Sequence, residues 1–373
     1  MVEWKKLEDL GSFFGGLSGK TKDDFVDGNA KFVTYMNVFS NPSLDLETTG
    51  SVKIRKGEKQ NKIRKGDILF TGSSETPDEA GMSCVVTEDL DDNVYMNSFC
   101  FGLRLNTPEL YNLCYLKHLL RSNQVRSKIA KSASGVTRYN ISKARFGKIR
   151  IPIPSLSEQN RIVVFLESFT SSIENLKRQI SERRKQYEYY RDQLLDLEGK
   201  EGVEMQKLGD VAKVLRGKRL TKNLLDDTMP YPVFHGGIEP LGKYSQFNRE
   251  ANTVMIINVG ASAGTVGYCD CKFWSSDGCF CISHSNSLNN KYLFYYLETK
   301  THYLQSQVRH AGIPTLDNPV VERILIPLLP LQEQSRIVSI LDTFETSIQN
   351  LEAQLKLREK QYEYYRNKLL TFE

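Results

Sequence analysis

The chain has 373 residues, 40% of them hydrophobic and 25% charged, which is enough for two or three domains with sizeable cores. Its net charge of +5 is modest, so where the charge lies matters more than its total. The N-terminal MVEWKKLEDL lacks an apolar h-region, and no run approaches the roughly 20 apolar residues of a membrane span, so neither a secretory signal nor a membrane partner is expected.

The cysteine count is odd, seven in all, which fits reduced thiols in a cytoplasmic protein. Near the N-terminus, Gly15-Gly16-Leu17-Ser18-Gly19-Lys20-Thr21 looks like a phosphate loop. That pattern needs glycine or alanine where Phe14 stands, so Lys20 and Lys22 are expected on a nucleic-acid backbone instead. Residues 66–70 running into Thr71-Gly72-Ser73-Ser74 read as a strand and turn, and residues 111–121 as a helix.

Residues 110–150 then hold ten basic side chains and no acidic one: Lys117, Arg121, Arg126, Lys128, Lys131, Arg138, Lys143, Arg145, Lys148 and Arg150. A run of one sign repels itself unless it meets a polyanion. Interleaved Ser132, Ser134, Thr137, Tyr139 and Asn140 can donate to phosphates and base edges. The bland alternative is a solvated basic face.

Residues 151–198 read IPIPSLSEQNRIVVFLESFTSSIENLKRQISERRKQYEYYRDQLLDLE. After the prolines, which cannot be helical, apolar positions step by four and three through Ile162, Leu166, Phe169, Ile173, Leu176, Ile180, Arg183, Tyr187, Tyr190, Leu194 and Leu197. This is a coiled-coil seam with one arginine in it, and Ser157 is the expected helix cap. Gly199-Lys200-Glu201-Gly202 then forms a short linker.

The next globule echoes the first at its ends. Val203-Glu204-Met205 resembles Val2-Glu3-Trp4, and Gly312-Ile313-Pro314 resembles Gly135-Val136-Thr137. Arg216, Lys218, Arg219, Lys222, His235, Arg309 and His310 form a weaker basic set. Thr253–Ile257 is a β-branched strand ending in a Gly/Ser/Ala loop, and residues 291–302 look helical. Residues 269–273 and 279–283 flank Ser275-Ser276-Asp277-Gly278 as an expected hairpin. Strand alternation there could gather Cys269, Cys271, Cys279 and Cys281 around zinc, but the spacing is not the usual C-x₂-C and buried strand cysteine is common, so no metal is assigned. Each globule reads as α+β with a curved sheet.

Residues 326–373 read IPLLPLQEQSRIVSILDTFETSIQNLEAQLKLREKQYEYYRNKLLTFE, which repeats the first helical segment without a gap at an offset of 175. The seam recurs as Ile337, Leu341, Phe344, Ile348, Leu351, Leu355, Arg358, Tyr362, Tyr365, Leu369 and Phe372. About 40 helical residues would span roughly 60 Å. Arg183 and Arg358 are expected to specify how the two helices pair, and the tyrosines of the repeated QYEYYR to pack in the seam. The helical segments are near neutral, while residues 1–150 carry 23 basic against 18 acidic side chains. Gly260–Gly267 is not a dinucleotide fingerprint, Asp317-Asn318-Pro319-Val320 lacks the features of an amino-methyltransferase tetrapeptide, and no catalytic constellation stands out.

Two Ile-Pro-x-x-x-Leu-x-Glu-Gln entries, the helix behind each, and loops such as Phe234–Gly242 and Phe273–Asp277 resemble the specificity subunits of type I restriction-modification systems. The resemblance implies two target recognition domains, residues 1–150 and 203–325, each reading half of a split site in double-stranded DNA. It implies helical spacers at 151–202 and 326–373 that pair antiparallel about an internal pseudo-twofold and dock two methyltransferase subunits. Restriction (translocase/nuclease) subunits would join them. S-adenosylmethionine, ATP and Mg²⁺ would belong to those partners, with no cofactor in this chain. The DNA contacts expected are Lys20, Lys22, Arg126, Lys131, Ser134, Arg138 and Asn140 in the first globule. In the second they are Arg216, Lys218, Arg219, His235, Ser262, Arg309 and His310. A coiled-coil scaffold that binds only proteins is the alternative, and steep salt dependence would separate the two.

Overall fold

A computed structural model describes residues 2–90 and 93–372. Met1 and Glu373, the outer limits of the first globule and second spacer, lie outside the described residues, as do Asp91 and Asp92. The chain divides into two compact units, residues 1–176 with 354–373, and residues 177–353. Two long helices, Leu156–Leu195 and Leu331–Leu369, contribute to both.

The strands of unit one are β1 (Glu3–Lys6), β2 (Gly11–Gly15), β3 (Ala30–Val33), β4 (Gly50–Val52), β5 (Asp67–Thr71), β6 (Ser73–Ser74), β7 (Ser83–Val85), β8 (Val94–Met96), β9 (Cys100–Leu105), β10 (Ala133–Ser134), β11 (Tyr139–Ile141) and β12 (Arg150–Ile153). An antiparallel sheet runs β2-β9-β5-β7. Its central β5, sequence DILFT, is buried throughout, as a strand covered on both faces requires. In a second sheet, β3 pairs parallel to β8 and antiparallel to β4. The β10–β11 hairpin docks on β6, and β1 pairs with β12 just before the first long helix.

Unit two contains β13 (Glu204–Lys207), β14 (Val214–Arg216), β15 (Tyr231–Phe234), β16 (Gly242–Tyr244), β17 (Thr253–Ile257), β18 (Val266–Cys269), β19 (Trp274–Ser275), β20 (Cys279–Ile282) and β21 (Leu325–Leu328). Its sheet order is β14-β20-β17-β18, β15 pairs parallel to β19 and antiparallel to β16, and β13 pairs with β21. The topology of the first globule is repeated, although the two sequences match only at their ends. The expected hairpin around Ser275–Gly278 does not form, because β18 and β20 both pair with β17, from opposite sides. With β17 between them the four thiols do not converge. Among the described residues the one group of three or more metal-ligating side chains that lie close together is Cys269, Asp270 and Cys271.

In each unit a buried glutamine joins helix to globule. Gln159 accepts from the Asn112 amide at 2.9 Å and donates to the Pro154 carbonyl, while Asn112 caps the helix Leu113–Leu119. Gln334 does the same with the Asn289 amide at 2.8 Å and the Leu329 carbonyl, and Asn289 caps Asn290–Thr299. Tyr115 and Tyr292 donate to the carbonyls of the equivalent Pro152 and Pro327, both at 3.0 Å. The Glu-Gln of each entry is therefore half surface and half internal clamp. Glu158 and Glu333 hold exposed Arg161 and Arg336, while the glutamines are fully buried. The first helix starts at Leu156, and Ser155 rather than Ser157 accepts from the Glu158 amide.

The helices run antiparallel in each unit, since rising numbers on one meet falling numbers on the other. In unit one Phe165 and Phe169 contact Tyr365 at 5.2 and 5.5 Å, and Arg358 lies over Phe169 at 5.4 Å. In unit two Arg184 pairs with Glu352 while Tyr190, further along, stacks on Phe344 at 5.5 Å, and Arg183 lies over the same ring at 5.9 Å. Each seam arginine thus meets the phenylalanine of the opposite repeat. Leu166, Phe169, Ile173, Ile180 and Leu341 are buried. Leu176, Ile348, Leu351 and Leu355 are half-buried.

The duplicated QYEYYR has a physical use. Tyr362, on the second helix, shares a 2.8 Å hydrogen bond with His118 of the first globule. Tyr187, on the first helix, donates at 2.8 Å to Glu298 of the second globule. Each helix ends by bracing the globule that precedes the other helix.

Candidate nucleic-acid interface

The basic run of residues 110–150 separates into two sets. Arg121 turns inward and donates to the carbonyls of Val38, Phe39, Asn41 and Ser83. Arg126 does likewise with Asp78, Ala80 and Gly81, each at 2.7 Å. Burial pulls both guanidinium pKa values down to about 10, still charged at neutral pH. Lys117 pairs with Glu167 at 2.6 Å, and Lys128 donates to the Arg150 carbonyl. Self-repulsion in this part is relieved by carbonyl dipoles and a carboxylate, with no external polyanion. Arg126, expected on DNA, instead holds the loop around Pro77–Glu79. Lys20 is likewise occupied, its side chain 5% exposed and paired with Glu58, whose carboxyl this lysine holds down at about 2. The exposed remainder is Lys131, Ser134, Arg138, Asn140, Lys143, Arg145, Lys148 and Arg150, with Lys22 elsewhere on the surface. Arg145 donates to Ser134, and Arg138 to Ser73 at 2.9 Å.

Arg138 borders a cleft of about 400 Å³ with Tyr35, Met36, Phe39, Ser73, Ser74, Glu75, Glu79 and Thr137. Tyr35 and Phe39 stack at 6.0 Å, Met36 is 58% exposed, and the exposed Phe99 ring lies 5.8 Å from the Arg138 guanidinium. Of the residues expected on DNA in this globule, Arg138 alone lines the cleft. The aromatic and methionine walls were not expected, because apolar residues near a short strand read as core.

Unit two has a cleft of about 650 Å³ walled by Arg216, Arg219, Lys222, His235 and Asp277, with Thr221, Asn258, Val259, Gly260, Ile313 and Thr315 among its other residues. His235 Nδ1 sits 3.3 Å from Asp277 Oδ1. Gly278 is required beneath it, since a Cβ there would lie 2.8 Å from that same Nδ1. The structure thus gathers Arg216, Arg219 and His235 and adds Lys222 and Asn258. Lys218, Ser262, Arg309 and His310 lie outside it, and Arg309 pairs with Asp317 at 2.8 Å.

The two clefts occupy the same place in the repeated topology. Each lies between the segment after β3 or β15, the segment after β5 or β17, and the loop that begins at Gly135 or Gly312. The scaffold is equivalent and the lining is not: aromatic, thioether and carboxylate groups around one arginine in unit one, and a cluster of cations in unit two.

The family model for the type I restriction modification DNA specificity domain matches residues 1–183 and again 200–358. A Haemophilus influenzae protein provisionally named a type I restriction enzyme specificity subunit is 30% identical over 72% of this chain and 74% of its own length. The Escherichia coli EcoR124I/EcoR124II specificity subunit is 30% identical over 60% of this chain and 63% of its own. The crystal structure of a type I restriction-modification S subunit from M. genitalium has the same fold, with a TM-score of 0.64 at 18% identity over 100% of this chain and 97% of that one. No helix among the described residues is long and apolar enough to cross a membrane. Two matches to one specificity-domain model, each covering a globule and the start of a long helix, show that the chain belongs to the type I restriction-modification specificity family.

Proposed function

We propose that this chain is the DNA-reading subunit of a type I complex, with each globule docking one half of a bipartite double-stranded site in its cleft. The supporting observation is the pair of clefts built at equivalent positions from different side chains. A common scaffold suits two similar docking events, and different linings suit two different half-sites. Residues 1–150 and 203–325 would be the recognition domains, and residues 151–202 and 326–373 the spacers that set the gap and dock two methyltransferase subunits. Catalysis, with S-adenosylmethionine, ATP and Mg²⁺, would reside in those partners and in restriction subunits, in the cytoplasm.

Within this reading Arg138, Arg216, Arg219 and His235 face base edges, since arginine reads guanine through two donors. Lys22, Lys131, Ser134, Asn140, Lys218, Ser262, Arg309 and His310 are left to phosphates and sugars, which position but do not specify. Arg126 and Lys20 serve the fold. Selection of bound duplexes from a random library, using the full chain, tests the proposal. It expects a split consensus and an affinity that falls linearly on a log–log salt plot. Absence of any enriched split site, with salt-insensitive binding, would leave the protein-scaffold reading in its place.

A further inference from the structure

Val136 and Ile313 are among the most exposed large hydrophobic side chains of the described residues, at 89% and 70%. They occupy equivalent positions, each directly after a glycine with positive φ, 153° at Gly135 and 91° at Gly312. Such an exposed apolar group is ordinary on a mobile loop, but both of these loops are tied down. In unit one the β10–β11 pairing, Ser134 opposite Asn140, closes the hairpin, and β11 is fixed in turn to Ser73 and Ser74. A Cβ at Gly135 would meet the Arg138 carbonyl oxygen at 1.9 Å, so the tip closes only on glycine. In unit two Arg309 and Thr315 exchange backbone hydrogen bonds at 2.9 and 3.0 Å, and the Gly260 amide holds the Pro314 carbonyl at 2.9 Å. The Thr315 hydroxyl also donates to the Ile313 carbonyl at 2.8 Å.

Two anchored tips therefore hold a branched apolar side chain in water at the rim of a cleft. Directly after Val136, Thr137 and Arg138 line the first cleft, Arg145 is held by Ser134 on the same hairpin, and Ile313 itself lines the cleft of Arg216, Arg219 and Lys222. An apolar point flanked by cations complements a surface with anions on its two borders and an apolar strip between them. The major groove of DNA has that form, with phosphates on both sides and pyrimidine C5 edges, methylated in thymine, along its floor.

We propose that Val136 and Ile313 are specificity-determining groove contacts, each packing on pyrimidine C5 edges of its own half-site. This rests on the DNA-reading function above and adds to it the residues that read shape without hydrogen bonds. Neither contact involves a phosphate, so loss of either leaves the counterion release unchanged.

The test uses the full chain and its V136S and I313S variants, with site selection and titration of the selected duplex across a salt series. Melting profiles equal to wild type are expected, because both side chains are exposed. Each variant should bind the cognate duplex about tenfold more weakly with an unchanged salt slope, in line with one lost base-edge contact. V136S should relax base preference in one half-site only, and I313S in the other. Variants with wild-type affinity and consensus would overturn the inference while the DNA-reading function stands. Variants that keep the consensus but fail to capture the methyltransferase subunit would also overturn it, making the tips protein contacts. If wild type itself selects no site, the underlying function fails instead.

Discussion

Arg126 offers the sharpest separation between a cation that holds the fold and one that meets DNA. In Arg126→Met the aliphatic stem is retained and three bonds to the carbonyls of Asp78, Ala80 and Gly81, all at 2.7 Å, are lost. Charged hydrogen bonds are individually worth about 1.5–3 kcal/mol, but three on one guanidinium share its charge and do not add fully. The carbonyls left behind lose their donor in a half-buried site, so the expected destabilisation is about 3–5 kcal/mol. With a urea m-value of about 2 kcal/mol/M, the midpoint of unit one falls by about 2 M. At a temperature where the variant stays folded, the slope of log K against log salt is unchanged, since no phosphate contact is removed. Arg138→Ala does the reverse. Its melting profile shifts far less, since this exposed side chain gives up one hydrogen bond to Ser73, and cognate affinity falls by at least about 1 kcal/mol. An Arg126→Met protein with wild-type stability and a salt slope lowered by about one would refute this assignment.

Acid should loosen unit one before unit two. Burial holds His118 below its ordinary value of 6.5, and the His118 contact with Glu167, joined by Lys117, holds that carboxyl down at about 2 from 4.5. Both folded values lie below the unfolded ones, so this stability is complete above the unfolded values. It is lost as pH falls, from about 6.5 downward for His118 and between 4.5 and about 2 for Glu167. Unit two joins helix to globule through Tyr295–Asp342 and Tyr187–Glu298, without histidine, so its junction lacks the loss that His118 brings to unit one. Gln159→Ala and Gln334→Ala each strand a buried amide and carbonyl, and melting of the corresponding unit should show a loss of about 2–3 kcal/mol. Removing one helical turn from both long helices shortens each by about 6 Å. The gap between unchanged half-sites should then shrink, by at most roughly two base pairs at 3.4 Å each, in methylome sequencing.

The long helices were legible because a seam of period three-four repeated at offset 175 is a local signal that survives without tertiary knowledge. In the globules the strands at 66–70 and Thr253–Ile257 and the helices within 111–121 and 291–302 were legible, but the sheet pairings were not, because the strands are two to six residues long and gain their partners only at a distance. Residues 269–273 and 279–283 read as a hairpin since nothing in that stretch announces that β18 and β20 pair with β17 on its two sides. The basic run misled for a related reason. Sequence counts charges, but the carbonyls of Asp78, Ala80 and Gly81 that receive Arg126 belong to a remote loop. Lys222 was visible among the cations, and only the fold sets it beside Arg219 and His235. The QYEYYR tyrosines read as seam residues, whereas the bracing of His118 and Glu298 by Tyr362 and Tyr187 required both globules in place.

The most direct test of two clefts reading two half-sites is cleavage of the selected duplex from a tethered iron chelate, carried at Thr137→Cys or at Lys222→Cys. Cys271, which is exposed, and Cys114, which is half-buried, would be replaced by serine first. Strand breaks from position 137 centred on one half-site, and from position 222 on the other, are the predicted result. Breaks from both positions over the same half-site, or none near either, would contradict the account.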